Sequence, residues 1–258
     1  MFPISGANCY FLAWCSREAR LPMLRAIRER GGVARVWGFG PCVEELCEDA
    51  ESEGVRLILP LENHWPDFGG APRRLEELGI TGPVEEFYRG PEARALYQQR
   101  SAEIILRHRG SPAILAWELA NEPRCDRDVL VDWAREMSAW VKSLDPERMV
   151  AVGDEGQDTE TLLEIESVDF GTYHLYPESW GMTARDGLRW IERHVEMGRR
   201  AGKPVVLEEY GLRDPAVRER WYPEWVRAAE EGGGSLVWML GSRNPEVAGF
   251  RDEFTIDV

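Results

Sequence analysis

Ala113-Ile-Leu-Ala-Trp-Glu-Leu-Ala-Asn-Glu-Pro123 opens as an apolar run and closes on an amide, a carboxylate and a proline. The run suits a buried strand. Proline cannot donate to a sheet ladder, so Pro123 ends the strand just after the polar pair. Asn121 and Glu122 therefore stand at the carboxyl end of a buried strand, the end where barrels and open α/β sheets collect their chemistry. A second stretch repeats the pattern: Lys203-Pro-Val-Val-Leu-Glu-Glu-Tyr-Gly211 runs from apolar residues into Glu208 and Glu209, with a glycine to turn on.

Working outward, strands and helices alternate. Strands are expected within Ile4–Trp14, Val33–Trp37, Val55–Leu59, the stretch at Ala113, Met149–Val152, Phe170–Tyr173, Pro204–Leu207 and Ser235–Trp238. Helices are expected over Arg17–Arg30, with Ser16 as N-cap, and over Pro41–Glu53, Pro91–Arg109, Asp128–Leu144, Thr159–Ile165, Asp186–Ala201 and Val217–Glu231. The stretch from Glu62 to about Gly90 reads as a long polar, aromatic and Gly/Pro-rich loop. Eight strands at crossover spacing favour a closed (β/α)8 TIM barrel over an open doubly wound sheet. The 258 residues suit one such domain spanning 1–258.

Composition narrows the partners. A net charge of −15 argues against nucleic acid, anionic membrane surfaces and polyanionic substrates, and leaves neutral ones. Eleven Trp is a high count, and a flat indole suits both a core and the face of a sugar ring. Cys9, Cys15, Cys42, Cys47 and Cys125 form no Cys-x-x-Cys, so free thiols and no structural metal are expected. No signal peptide or run of transmembrane length is visible, which places the chain as given in the cytoplasm, or outside the cell if a leader was removed. Oligomeric state is not legible.

Collected at one barrel mouth, the strand ends bring Arg35, Trp37, Asn63, His64, Trp65, Asn121, Glu122, His174, Tyr176, Glu208, Glu209 and Trp238 together. Carboxylates on the fourth and seventh strands would face each other, which suits glycosidic bond hydrolysis: one carboxyl protonates the leaving oxygen, the other attacks the anomeric carbon or activates water. Each Glu alone also reads as a helix cap or surface residue. His174 alone reads as a structural histidine, and His108 and His194 as solvated helix residues. Arg35, inside an apolar strand, needs an anionic partner, and Glu118, one step deeper than Glu122 with the same parity, supplies a candidate. A metal held by His64, His174 and carboxylates is the other reading, without any short paired-histidine spacing to support it.

These stretches resemble glycoside hydrolase family 5, in clan A of retaining (β/α)8 glycosidases, and within it the β-mannanase branch. Trp117-Glu-Leu-Ala-Asn-Glu-Pro123 is similar to the family's acid/base strand, and Lys203–Gly211 to its nucleophile strand. Gly171-Thr-Tyr-His-Leu-Tyr-Pro177 and Asn63-His-Trp-Pro-Asp-Phe-Gly-Gly70 resemble the sixth- and third-strand loops of mannanases. The likeness runs from Gly6 to about Trp238. It implies Glu122 as general acid/base and Glu209 as nucleophile, with Glu208 pointing the other way by strand parity. Asn121 would hold the sugar 2-hydroxyl, Tyr176 and Arg35 would keep the nucleophile ionised, and His174 would support the acid/base side. Trp238 would be the platform under the sugar at the cleavage point. Trp65, Trp180, Asn63 and His64 would contribute further sugar contacts, although His64 stands where such mannanases often carry Asn, and several loops are short.

The resemblance implies a retaining β-glycosidase acting on β-1,4-mannan or manno-oligosaccharides, with no cofactor. β-Glucan or glucomannan cleavage, exo-β-mannosidase action and a non-catalytic sugar-binding barrel are the alternatives.

Overall fold

The strand expected at Ala113–Pro123 is Ile114–Glu118, buried at every residue. Its outward-facing Trp117 lies among the helices and donates from Nε1 to Asp145 Oδ2 at 2.9 Å. Its inward residues Ala116 and Glu118 face the barrel axis. In chain order the strands are β1 (Ile4–Asn8), β2 (Val33–Arg35), β3 (Arg56–Pro60), β4 (Ile114–Glu118), β5 (Met149–Ala151), β6 (Gly171–Leu175), β7 (Val205–Tyr210) and β8 (Gly234–Val237). This computed structural model describes residues 2–258.

The eight strands run in parallel in the order β5-β4-β3-β2-β1-β8-β7-β6, so β1 joins β8 and the sheet curls into a barrel. The β5–β6 seam lacks a ladder and is laced by other contacts. Asp169 N donates to Val150 O at 2.8 Å and Val150 N to the Asp169 carboxylate at 2.6 Å; Thr172 Oγ1 donates to Asp154 O at 3.0 Å. The (β/α)8 architecture is the expected one.

Two apolar layers result from strand alternation. Inward residues including Ile4, Val33, Ile58, Ala116, Phe170, Val206 and Leu236 plug the lower barrel. Outward residues such as Leu57, Trp117, Tyr173 and Leu207 pack under the helices. The plug leaves polar groups only toward the carboxyl ends of the strands, which confines the chemistry to one mouth.

Helix boundaries follow local chemistry. Ser16 caps Arg17–Arg28 through its hydroxyl, as expected. Thr183 and Asp186 form a capping box on Ala184–Ala201, and Gly202 closes that helix at φ 68°. Two helices, Gly70–Glu77 and Glu86–Arg89, occupy the stretch read as loop. Pro72 falls in the first turn of Gly70–Glu77, where its missing N–H costs nothing, so the Gly/Pro-rich composition does not prevent a helix there. Beyond β8, Leu240–Gly241 (β9) and Ile256–Asp257 (β10) form a small parallel pair that returns the tail to the barrel mouth. Two-residue strands leave no period to detect. No helix among the described residues is long and apolar enough to cross a membrane.

Candidate active site

β2, β4 and β7 each deliver an ionisable group to the axis. Arg35, fully buried at the end of β2, spends all five N–H donors. Nε and one terminal nitrogen (NH2) grip Glu118 at 2.8 and 2.6 Å; NH2 also reaches Asn121 Oδ1 at 2.8 Å. The other terminal nitrogen (NH1) reaches Glu209 Oε1 at 2.5 Å and Asn8 Oδ1 at 3.2 Å. The anionic partner demanded by burial is thus Glu118, as its parity indicated, and Glu209 is a second.

Glu122 follows β4 in a left-handed backbone conformation, φ 48°, unusual for a residue with a Cβ. Backbone bonds enforce it: Glu122 N donates to Gly153 O at 2.9 Å, Asn121 N to Glu62 O at 2.9 Å and His64 N to Asn121 O at 3.0 Å. A Cβ on Gly153 would sit 1.9 Å from Ala120 O, so only glycine lets the β5 exit approach this turn. The strained turn aims the Glu122 carboxyl across the mouth. Its Oε1 contacts His174 Nδ1 at 2.7 Å and its Oε2 accepts from Trp65 Nε1 at 2.7 Å.

Glu209 answers from β7. Its Oε2 accepts from Tyr176 Oη at 2.6 Å and lies 3.6 Å from His174 Nδ1. One oxygen of Glu122, one of Glu209 and a nitrogen of His174 all lie within 4.8 Å of one another. A cation would fit the spacing of these three, but the carboxylate oxygens already accept from Arg35, Tyr176 and Trp65, an arrangement suited to holding charge and moving protons.

The electrostatics set the resting charges. Burial would raise the Glu122 carboxyl, but the N–H groups of His174 and Trp65 and the Arg124 charge outweigh it and hold it at about 2. Burial would strip the His174 proton, and the facing Glu209 and Glu122 reverse this, holding the ring well above an ordinary histidine. Glu209 is pulled both ways. Burial pushes its carboxyl upward more than His174 and Arg35 pull it down, although Arg35 and Tyr176 do hydrogen-bond it as expected.

A further correction concerns Glu208. The β6–β7 register shifts between Tyr173 and His174, so Tyr173 pairs Leu207 but His174 pairs Glu209. Glu208 keeps the inward parity of Val206, and the residue inserted at the bulge turns Glu209 inward as well. Glu208 therefore points inward like Glu209, 3.5 Å from Arg35 Nε and 3.8 Å from His174 Nε2, rather than the other way.

Above the carboxylates lies a cavity of about 440 Å³, within the range of small-molecule sites. Its wall includes Asn63, Trp65, Asn121, Glu122, Tyr176, Trp180, Glu209 and Trp238, all expected site residues. Arg35 and His174 lie beneath it, fully buried. His64 is not on its wall: the ring is buried, bonded to the Tyr88 hydroxyl at 2.9 Å, and accepts from Arg124 N at 3.4 Å. It braces the turn after Glu122 instead of contacting ligand. His108 and His194 are buried too, His194 between Trp190 O and Gly156 O at 2.8 and 3.0 Å, because their helix faces turn to the barrel.

Sequence reasoning passed over Tyr10, Phe68, Arg124, Asp252 and Phe254, which line the same cavity. Tyr10 stacks on Trp238 at 5.3 Å and 9°, covering one indole face. Trp238 Nε1 donates to Asp252 Oδ2 at 2.8 Å. Arg124 lies 4.6 Å over Trp65 and is paired with Glu155 at 2.6 Å. Arg124 directly follows the Glu122-Pro123 pair, which was a signal; Asp252 and Phe254 come from the tail after β8 and carried none.

The family described as GH family 5 beta-mannosidase-like matches residues 84–223. Mannan endo-1,4-beta-mannosidase A of Podospora anserina is 35% identical over 83% of this chain and 63% of its own length. A probable mannan endo-1,4-beta-mannosidase F of Neosartorya fischeri is 40% identical over 80% of this chain and 50% of its own. The chain thus spans between half and two thirds of the length of these curated relatives. The hyperthermostable endo-1,4-beta-D-mannanase of Thermotoga petrophila RKU-1 superposes with a TM-score of 0.90 at 30% identity, covering 100% of this chain and 95% of that one.

Proposed function

Because the chain belongs to glycoside hydrolase family 5, we propose that it is a retaining β-glycosidase that cleaves β-1,4-mannosidic bonds in mannan or manno-oligosaccharides. The observation that carries this reading is the approach of Glu122 and Glu209 oxygens, with His174, to within 4.8 Å of one another. Retaining glycosidases hold their carboxyl pair about 5–5.5 Å apart, and inverting ones about 6.5–9.5 Å to admit a water. The relatives' printed names support mannan as substrate.

Glu209 attacks the anomeric carbon as the bond to the leaving oxygen breaks. Its fully used Arg35 and Tyr176 contacts fix its direction. Glu122, sharing one proton with His174, delivers that proton to the leaving oxygen. Glu122 then takes a proton from water, which attacks the same carbon and frees Glu209. Nucleophile, acid and base are all protein groups, so this displacement calls for no cofactor. Trp65, Trp180 and the free face of Trp238 offer flat apolar surfaces to sugar rings, and the polar wall meets hydroxyls, which suits a neutral saccharide.

The test is product analysis on mannohexaose, cellohexaose and xylohexaose, with Glu209→Ala as control. Cleavage of mannohexaose, lost in the control, is expected; internal fragments indicate endo action and mannose alone indicates exo action. Failure to cleave any of the three sinks the reading.

A further inference from the structure

Glu208 has no assigned task, and its position asks for one. It is fully buried, and neither carboxylate oxygen has a hydrogen-bond partner. Its backbone oxygen is anchored by Asn8 Nδ2 at 2.8 Å. The nearest guanidinium, Arg35, stands 3.5 Å away at Nε, but that N–H is given to Glu118 and the other four to Glu118, Glu209, Asn8 and Asn121. What faces Glu208 with a free position is His174: Nε2 lies 3.8 Å from Oε2 and has no hydrogen-bond partner either. An unserved buried carboxyl is costly, and an amide or aliphatic residue there would be cheaper for folding alone.

We propose that Glu208 is a positioning residue for the acid/base group, acting through His174: its carboxylate faces Nε2 and keeps that nitrogen protonated, so that Nδ1 shares its own proton with Glu122. This rests on the glycosidase reading above. The inward parity that Glu208 shares with Val206 places the two ring nitrogens between two carboxylates, Glu208 below and Glu122 above. Proton accounting closes on this arrangement. At rest the ring carries both protons and Glu122 is a carboxylate. When the leaving oxygen takes the shared proton, the ring is left neutral with Nε2–H still directed at Glu208. Glu122 is left able to draw a proton from the attacking water, which restores the starting state. The groups facing the ring and Glu208 are Arg35 from β2, Glu118 from β4, Glu122 from the turn beyond it and Glu209 from β7. Burial pushes Glu118 up to about 8 against the pull of Arg35.

The experiment is nitrogen NMR of histidine-labelled protein, tractable because the chain has four histidines. It is combined with kcat/KM against pH on mannohexaose for the wild type, Glu208→Gln and Glu208→Asp. The wild-type His174 ring is expected to be doubly protonated at about pH 6 and to stay so into the neutral range. In Glu208→Gln the ring titration and the basic limb of kcat/KM both move down by about one pH unit, equivalent to roughly tenfold less activity on that limb. KM changes little, and Glu208→Asp recovers part of the shift. A ring that is neutral in the wild type at about pH 6 overturns the proposal, whether or not the glutamine variant folds. So does a glutamine variant that melts lower but leaves ring titration and basic limb in place, the signature of a merely structural role. Because the ring state is read without substrate, loss of the glycosidase reading and loss of this proposal are separate outcomes.

Discussion

Trp65 donates its indole N–H to Glu122 Oε2 at 2.7 Å, so a cavity-wall aromatic is also a hydrogen-bond partner of the proposed acid/base carboxyl. A donor to the charged form lowers a carboxyl pKa. Trp65→Phe keeps the flat surface and removes the donor. The basic limb of kcat/KM is expected to move up by about one pH unit, as a hydrogen bond of about 1.5 kcal/mol to a charged group implies. A pH titration of initial rates decides it, and an unmoved limb would refute the link.

Arg35 offers a sharper test, because every one of its N–H groups is used. Lysine has three donors on a point charge and cannot reproduce the bidentate grip on Glu118 while reaching Glu209. Arg35→Lys is expected to cost about 3–5 kcal/mol of stability, the scale for breaking a buried ion pair. Activity should fall by at least about 10²-fold, as for loss of an electrostatic donor at the reacting centre. Urea unfolding and single-turnover rates on mannohexaose read the two separately.

His64 makes the fold sensitive to acid. Burial, with the Arg124 charge, pushes its ring down to about 4 from an ordinary 6.5. A depressed folded pKa stabilises the fold fully above 6.5, and that stability drains as pH falls through about 4. The ring's accessible surface is almost wholly buried while its surroundings are less so, and the loss is discounted accordingly to about 2 kcal/mol. His64→Asn keeps an acceptor for Tyr88 and cannot titrate. Its melting temperature is expected to fall less than the wild type's between pH 7 and pH 4; parallel curves would contradict this.

Asp252 holds the Trp238 indole at its edge by the ring N–H at 2.8 Å, while Tyr10 covers one face. Asp252→Ala frees the platform to turn. KM for mannohexaose is expected to rise by about 5-fold, in line with about 1 kcal/mol for the bond, while Asp252→Asn retains an acceptor and stays near wild type. Steady-state kinetics on the three proteins checks it, and equal KM values would remove Asp252 from the site.

Most of the order of elements, the eight parallel strands and the carboxylates at the ends of β4 and β7 were legible in the chain itself, and the resemblance singled out Glu209 from Glu208 as the proposed nucleophile. Each depends on a signal carried within ten or so residues: an apolar run, a proline or glycine stop, a polar residue at the exit. Glu118 as the partner of Arg35 was legible for the same reason, since parity along β4 is local. The direction of Glu208 was not. Alternation sends Glu208 and Glu209 to opposite faces, and only the pairing of β7 with β6 reveals the bulge that brings both inward. His64 shows the same limit, since a polar residue at a strand exit looks like a ligand contact until Tyr88, 24 residues on, is seen to claim it. Asp252 and Phe254 reach the mouth through a two-residue strand pair with no period of its own. Local sequence determined which strand-end residues stand at the barrel mouth. Tertiary structure alone decided which of them face one another, because register, bulges and charge pairing are set by contacts between segments far apart in the chain.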